Sequence, residues 1–221
     1  MSSATPPDFK LYTYFRSSAA YRARIALNLK DIKPDYKFVH LLRDGGQQHD
    51  ETYKAVNPQE LIPALVHDGH TIGQSLAIIE YLDEIKPLPP LMPKDAAGRA
   101  RVRQIAYIVA CDIHPPNNLR MLLRLRDQFG ASEEQRAEWQ KHWIALGFAA
   151  IEKLLASSET GRYCHGDSPT LADICLIPQM TNARRVHLDL TLYPTLVRIE
   201  KTALENSAFA AATPMEQPDA E

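Results

Sequence analysis

The chain has 221 residues, 45% hydrophobic and 24% charged, and its 25 Lys+Arg against 27 Asp+Glu leave a net charge of -2. This is the composition of a folded globular chain long enough to bury a core, and it excludes a disordered or collagen-like body. The charge balance argues against a nucleic-acid partner, which draws a basic excess, and no apolar run approaches the ~20 residues of a membrane span.

Residues 1–8 lack an apolar stretch and read as a flexible lead, not a secretory signal. Residues 9–15 (FKLYTYF) are aromatic-rich and predict a strand. Tyr21, Ile25 and Leu29, four residues apart, predict a helix over 20–29. A second strand is predicted over 36–42 (YKFVHLL), and Asn57-Pro58 marks a turn. Short strands at 64–66 and 71–72 flank His67-Asp68-Gly69-His70, and Asp-Gly between apolar runs is a hairpin signal. Ser75 is a good N-cap for a helix whose Leu76, Ile79, Leu82 and Ile85 share one face. The order is β-α-β, a connection, then β-β-α.

Residues 86–93 hold four prolines in eight positions, a density that no helix or central strand survives. Beyond it strand signals nearly vanish. Helices are predicted over 97–112 and 118–129, along the stripe Ile144, Phe148, Ile151 and Leu155, and from Thr170, which with Asp173 forms an Asp version of the capping box. Pro178 is expected to bend that helix or mark a 3₁₀ turn. A last helix begins at Tyr193-Pro194, and the tail reads as irregular and acidic.

Cys111, Cys164 and Cys175 are odd in number, widely spaced and without a CxxC pair. They support neither a zinc site nor a dithiol motif, and each reads as a small buried hydrophobe in a reducing cytoplasm.

Chemistry gathers in the first half. Residues 15–22 (FRSSAAYR) lie between a strand and a helix, where unpaired N–H groups and the positive end of the helix dipole make an anion site. The same residues also fit an ordinary serine cap with solvated arginines. Pro63 stands just before a strand, where a cis bond would turn the Ile62 backbone outward. The base rate for cis X-Pro is only about 5–6%, so the residues leave this open. Gln74-Ser75 precedes the next helix. Three backbone-based ligand contacts thus fall on the edge of one small sheet.

The ordered motifs FRSSAAYRARIALNLK, NPQELIPAL, IGQSLAIIEYLDE and SPTLADICLIPQ resemble the zeta class of glutathione transferases, over nearly the whole chain. The resemblance implies an α/β thioredoxin-like domain followed by an all-α domain, in a cytoplasmic homodimer. It places a glutathione-binding domain at 9–87, a Pro-rich linker at 88–94 and a helical substrate domain at 95–221. It implies that Ser17 is catalytic, with Ser18 and Arg16 beside it. Glutathione would be held by Ser17, Gln48, Ile62, Pro63, Gln74, Ser75, His114 and Asn118. Arg16, Arg22, Arg185 and Arg120 are candidates for the substrate carboxylates, and Arg22 alternatively pairs with a carboxylate of the protein. Many members read Ser-Ser-Cys in the first motif. Here it is Ser17-Ser18-Ala19, so the working thiol must come from glutathione.

The implied activity is glutathione-dependent cis-trans isomerisation of maleylacetoacetate by reversible thiolate addition, with no metal. A double bond must become single for a moment if it is to rotate. Maleylpyruvate as substrate, a conjugating or dehalogenating transferase, and a non-catalytic glutathione-fold binding protein are the competing readings.

Overall fold

The computed structural model describes residues 8–221, so the expected lead lies outside the described residues except for Asp8. The chain divides into two compact units. One runs up to Pro90 and takes in Ser207–Glu221; the other is Leu91–Asn206. The last fifteen residues, 207–221, therefore differ from the expected boundary, which put them in the helical domain.

The first unit holds strands β1 (Phe9–Thr13), β2 (Asp35–Phe38), β3 (Ala64–His67) and β4 (His70–Gly73), with helices α1 (Ser18–Leu29), α2 (Glu51–Lys54) and α3 (Ser75–Ile85). The sheet order is β2-β1-β3-β4. β1 runs parallel to β2 and antiparallel to β3, and β3 antiparallel to β4. The hairpin turns on Asp68 (φ 48°) and Gly69 (φ 74°). Two consecutive left-handed residues are what a two-residue turn of matching twist requires, and Asp-Gly meets this at low cost. β1 is shorter than predicted because Tyr14 and Phe15 turn into a core cluster with Ala20, Val39, Tyr53 and Ile62. β2 also stops early: Val39 N–H still reaches Thr13 O at 2.9 Å, but Arg43–Gly45 and Gln47–His49 then form short 3₁₀ turns. α1 is buried from Ser18 to Leu27, on nearly every side, which draws two arginines into the interior.

The second unit is helical: α4 (Ala96–Tyr107), a π-helical continuation Ile108–Ile113, α5 (Leu119–Phe129), α6 (Glu133–Leu154), α7 (Leu171–Arg185) and α8 (Pro194–Leu204). The π turn is not legible in the apolar spacing. It packs against α6 at Gly147, where any Cβ would collide with Ile113. α7 begins on the expected capping box. The buried Asp173 carboxylate accepts from Thr170 N–H at 2.8 Å, Thr170 Oγ–H at 2.9 Å and Cys164 N–H at 2.8 Å. The helix continues through Pro178 without the 3₁₀ turn that was one of the two expectations there; every residue from Leu171 to Met180 is buried, and packing sustains it. Cys164 and Cys175 are buried as expected, whereas Cys111 is exposed on the π turn.

The segment 207–221 forms α9 (Ser207–Ala210) and a 3₁₀ turn at Pro214–Glu216. Among the described residues, no helix is long and apolar enough to cross a membrane.

Candidate active site

Strand register brings the candidate residues of the first unit to one end of its sheet. Tyr12 pairs with Ala64, Ala64 with Gly73, and Thr13 with Phe38. The loop bearing Ser17, the Ile62–Pro63 bond, Gln74-Ser75 and the loop to Gln48 therefore all leave the sheet from this end. The Ile62–Pro63 bond is cis.

Ser17 is the N-cap of α1, and its Oγ accepts the Ala20 N–H at 3.2 Å. The hydroxyl keeps its own proton to donate elsewhere. The first turn of α1 holds no acidic residue, so the positive end of the dipole is not neutralised. Arg16 is exposed beside it, while Ser18 is buried as the first helical residue.

Gln74, not Ser75, occupies the cap position of α3, with φ 63° and ψ 117°. This left-handed backbone is costly for a residue with a Cβ and marks functional sites. Gln74 is exposed, and its Nε2 donates to Gln59 Oε1 at 2.8 Å. Ser75 is buried and accepts from Arg22 Nη1 at 3.4 Å. Arg22 is only 1% exposed. It is a buried link between α1 and α3. Gln48 is also buried. Its Nε2 donates to Leu41 O at 3.4 Å, and its Oε1 has no hydrogen-bond partner. Leu61 O, just before the cis bond, accepts from Tyr53 Oη–H at 2.6 Å and Asn57 Nδ2–H at 2.7 Å. Burial pushes the Tyr53 hydroxyl up to about 12, so it stays a donor at neutral pH.

In the second unit, His114 follows the π turn, its N–H donating to Val109 O at 2.9 Å. Asn118 caps α5: its Oδ1 accepts the Arg120 N–H at 3.1 Å, and its Nδ2 stands 3.5 Å from His114 Nε2. The structure thus brings His114 and Asn118 together on one connection. π turns recur at functional sites. Arg120 and Arg185 are both exposed.

The sequence reading missed Arg24. It is fully buried, and donates to Thr13 Oγ1 at 3.1 Å, Tyr14 O at 3.3 Å, Phe15 O at 3.2 Å and Ala212 O at 3.1 Å. Burial pushes its guanidinium down to about 10, still charged at neutral pH. It also missed Asp219, whose Oδ2 accepts the Phe15 N–H at 2.9 Å. No spacing signal points to either residue.

A mixed four-stranded sheet carrying a serine-capped helix and a cis-proline, joined in sequence to a helical unit, defines a glutathione transferase fold. Residues 11–90 match the family model for the glutathione S-transferase N-terminal domain. A probable maleylacetoacetate isomerase of Drosophila melanogaster is 48% identical over 95% of this chain and 89% of its own. The holo structure of maleyl pyruvate isomerase, a bacterial zeta-class glutathione S-transferase, matches with a TM-score of 0.94 at 48% identity, over 96% of this chain and 100% of that one. A maleylacetoacetate isomerase of Anaeromyxobacter dehalogenans, with dicarboxyethyl glutathione and citrate in its active site, matches with a TM-score of 0.85 at 40% identity, over 99% and 100% of the two chains. The chain belongs to the zeta-class glutathione transferases, in the group of maleylacetoacetate and maleylpyruvate isomerases.

Proposed function

We propose that this protein is a glutathione-dependent cis-trans isomerase acting on maleylacetoacetate, with Ser17 as the residue that polarises the cofactor thiol. The carrying observation is the acid-free, Ser17-capped N-terminus of α1 at the sheet end that also bears Pro63 and Gln74-Ser75.

The residues fit glutathione. The buried Gln48 Oε1 lacks a donor, and glutathione carries several N–H groups. The exposed Gln74 and the first turn of α3, also free of acids, suit its γ-glutamyl carboxylate. Ile62 would hold the cysteinyl part through its backbone. When bound, glutathione supplies the thiolate that adds to the conjugated alkene and is expelled after bond rotation. Ser17 donates its hydroxyl proton toward the sulfur, and the α1 dipole lies behind it. Both favour the thiolate over a free thiol of pKa ~8.5. Arg16 is exposed beside Ser17 and is the first unit's candidate for a substrate carboxylate.

Ser17→Ala is expected to raise the thiol pKa of bound glutathione toward ~8.5 and to slow turnover, each unit corresponding to ~1.36 kcal/mol of preference for the charged form. Ultraviolet titration of the thiolate in the complex reads this; an unchanged pKa removes Ser17 from the role. A second reading, maleylpyruvate as substrate, is favoured by the match at TM-score 0.94 to a maleyl pyruvate isomerase. Steady-state kinetics on both diacids decides between them, and a product retaining the thioether would indicate conjugation instead. We also take the protein to be a cytoplasmic homodimer, for which light scattering reads the oligomeric state.

A further inference from the structure

We infer that Asp219–Glu221 is part of the scaffold of the glutathione site, with Asp219 a positioning residue for Ser17. This rests on the reading that Ser17 polarises the thiol.

Several backbone groups of the turn from β1 into α1 are held by groups distant in sequence or by the turn itself. Tyr14 O accepts from Ser17 N–H at 3.0 Å and from Arg24. Phe15 O accepts from Arg24, and Phe15 N–H donates to Asp219. The turn is therefore fixed from two sides, by a guanidinium beneath it and a carboxylate brought from 204 residues away in sequence. Arg24 also grips Ala212 O, so the same cation holds both the turn and the segment carrying Asp219. Asp219 is the carboxylate whose field Arg24 feels.

The segment is hydrogen-bonded along its length. Tyr21 Oη donates to Phe209 O at 3.4 Å and Asn28 Nδ2 to Ala208 O at 2.9 Å. Gln217 Nε2 donates to Ala211 O and Thr213 O, both at 2.9 Å. Ala220 packs against the cluster of Tyr14, Phe15, Ala20, Val39, Tyr53 and Ile62, which includes the proposed cysteinyl-binding residue. Glu221 pairs with Arg43 and lies 3.2 Å from His40 Nε2. His40 Nδ1 accepts the N–H groups of Leu42 at 3.1 Å and Arg43 at 2.8 Å. Three consecutive residues thus engage both loops that carry proposed glutathione contacts: the one leading to Ser17 and the one leading to Gln48.

The test uses the full chain with Asp219→Ala and Asp219→Asn. Glutathione affinity is measured by calorimetry, the bound thiol pKa by ultraviolet titration and stability by thermal melting. Loss of a charge-assisted bond to a part-buried amide is expected to weaken glutathione binding by about tenfold in Asp219→Ala. It should also raise the bound thiol pKa, and Asp219→Asn, whose amide oxygen still accepts from Phe15 N–H, should restore most of both. An Ala variant that melts earlier yet keeps the parent's affinity and thiol pKa overturns the inference, as does an Asn variant no better than Ala. Should Asp219→Ala not fold, Asp219→Glu takes its place: equal charge with the acceptor displaced by one methylene, and unchanged affinity and thiol pKa overturn the inference. If Ser17→Ala leaves the thiol pKa unmoved, the functional reading fails. If Ser17→Ala moves it and the Asp219 variants do not, only the positioning role falls.

Discussion

Arg24, fully buried in the first unit, and Arg101, partly buried in the second, perform similar work with different consequences. Arg24 collects three backbone carbonyls and a hydroxyl, two of the carbonyls within the turn before Ser17. Arg101 in α4 gathers Cys164 O at 2.6 Å, Leu154 O at 3.2 Å and Thr160 Oγ1 at 2.8 Å, with Glu159 at 3.2 Å as its ion-pair partner. Its targets are a connection between α6 and α7 that bears no candidate site residue. A guanidinium suits both places because its planar fork satisfies several acceptors at once. What separates the two is the address of the acceptors. One arginine stabilises the loop where chemistry is proposed, the other a loop that only closes the helical unit.

The comparison breaks most readily at Arg24. Arg24→Met strands buried carbonyls and removes the counter-charge near Asp219, an expected cost of about 3–5 kcal/mol. It should lower both the urea midpoint and the affinity for glutathione in calorimetry. Intact affinity in a folded variant would erase the distinction. Arg101→Met is expected to cost about 2–3 kcal/mol and to lower the melting temperature while leaving glutathione affinity within twofold of the parent. A loss of binding there would mean that both arginines serve the site. The smallest effect concerns Asp173, at the capping box beyond the loop that Arg101 holds. Burial raises its carboxyl above the ordinary value, against the bonds it accepts. The folded state then keeps the proton at pH values where the unfolded chain has released it. Its contribution to stability is accordingly full below the unfolded value of ~3.9 and falls as pH rises through the folded value. Asp173→Asn should flatten this slope, read from melting temperatures across a pH series starting near 4.

Much of the local architecture was legible. The Asp68-Gly69 hairpin, the Thr170/Asp173 cap and the helix after Ser17 follow from short-range chemistry that a few adjacent residues carry. The candidate contacts Ser17, Pro63 and Gln74-Ser75 were legible for the same reason: each sits at a strand-to-helix or loop-to-strand junction that the pattern marks. The burial of Arg22 was not. On a helical pattern an arginine reads as solvated, and only the enclosure of α1 on nearly all sides decides otherwise. The cap of α3 fell one residue early, on Gln74, because the left-handed backbone there is imposed by the junction with β4 and not by side-chain preference. The π turn before His114 was hidden because its one extra residue shifts the apolar register by less than the spacing can resolve.

The sequence by itself determined the hairpin and the longer helices, the two-part composition and the absence of a protein thiol beside Ser17, since those are properties of neighbouring residues. Tertiary structure alone decided that the acidic tail returns to the first unit, that Arg24 lies beneath the turn and that Asp219 receives its amide. Those bonds join groups 188 and 204 residues apart. Nothing local to either partner encodes them; they exist because chain folding brings a carbonyl, a carboxylate and a guanidinium into one buried place where each must be satisfied.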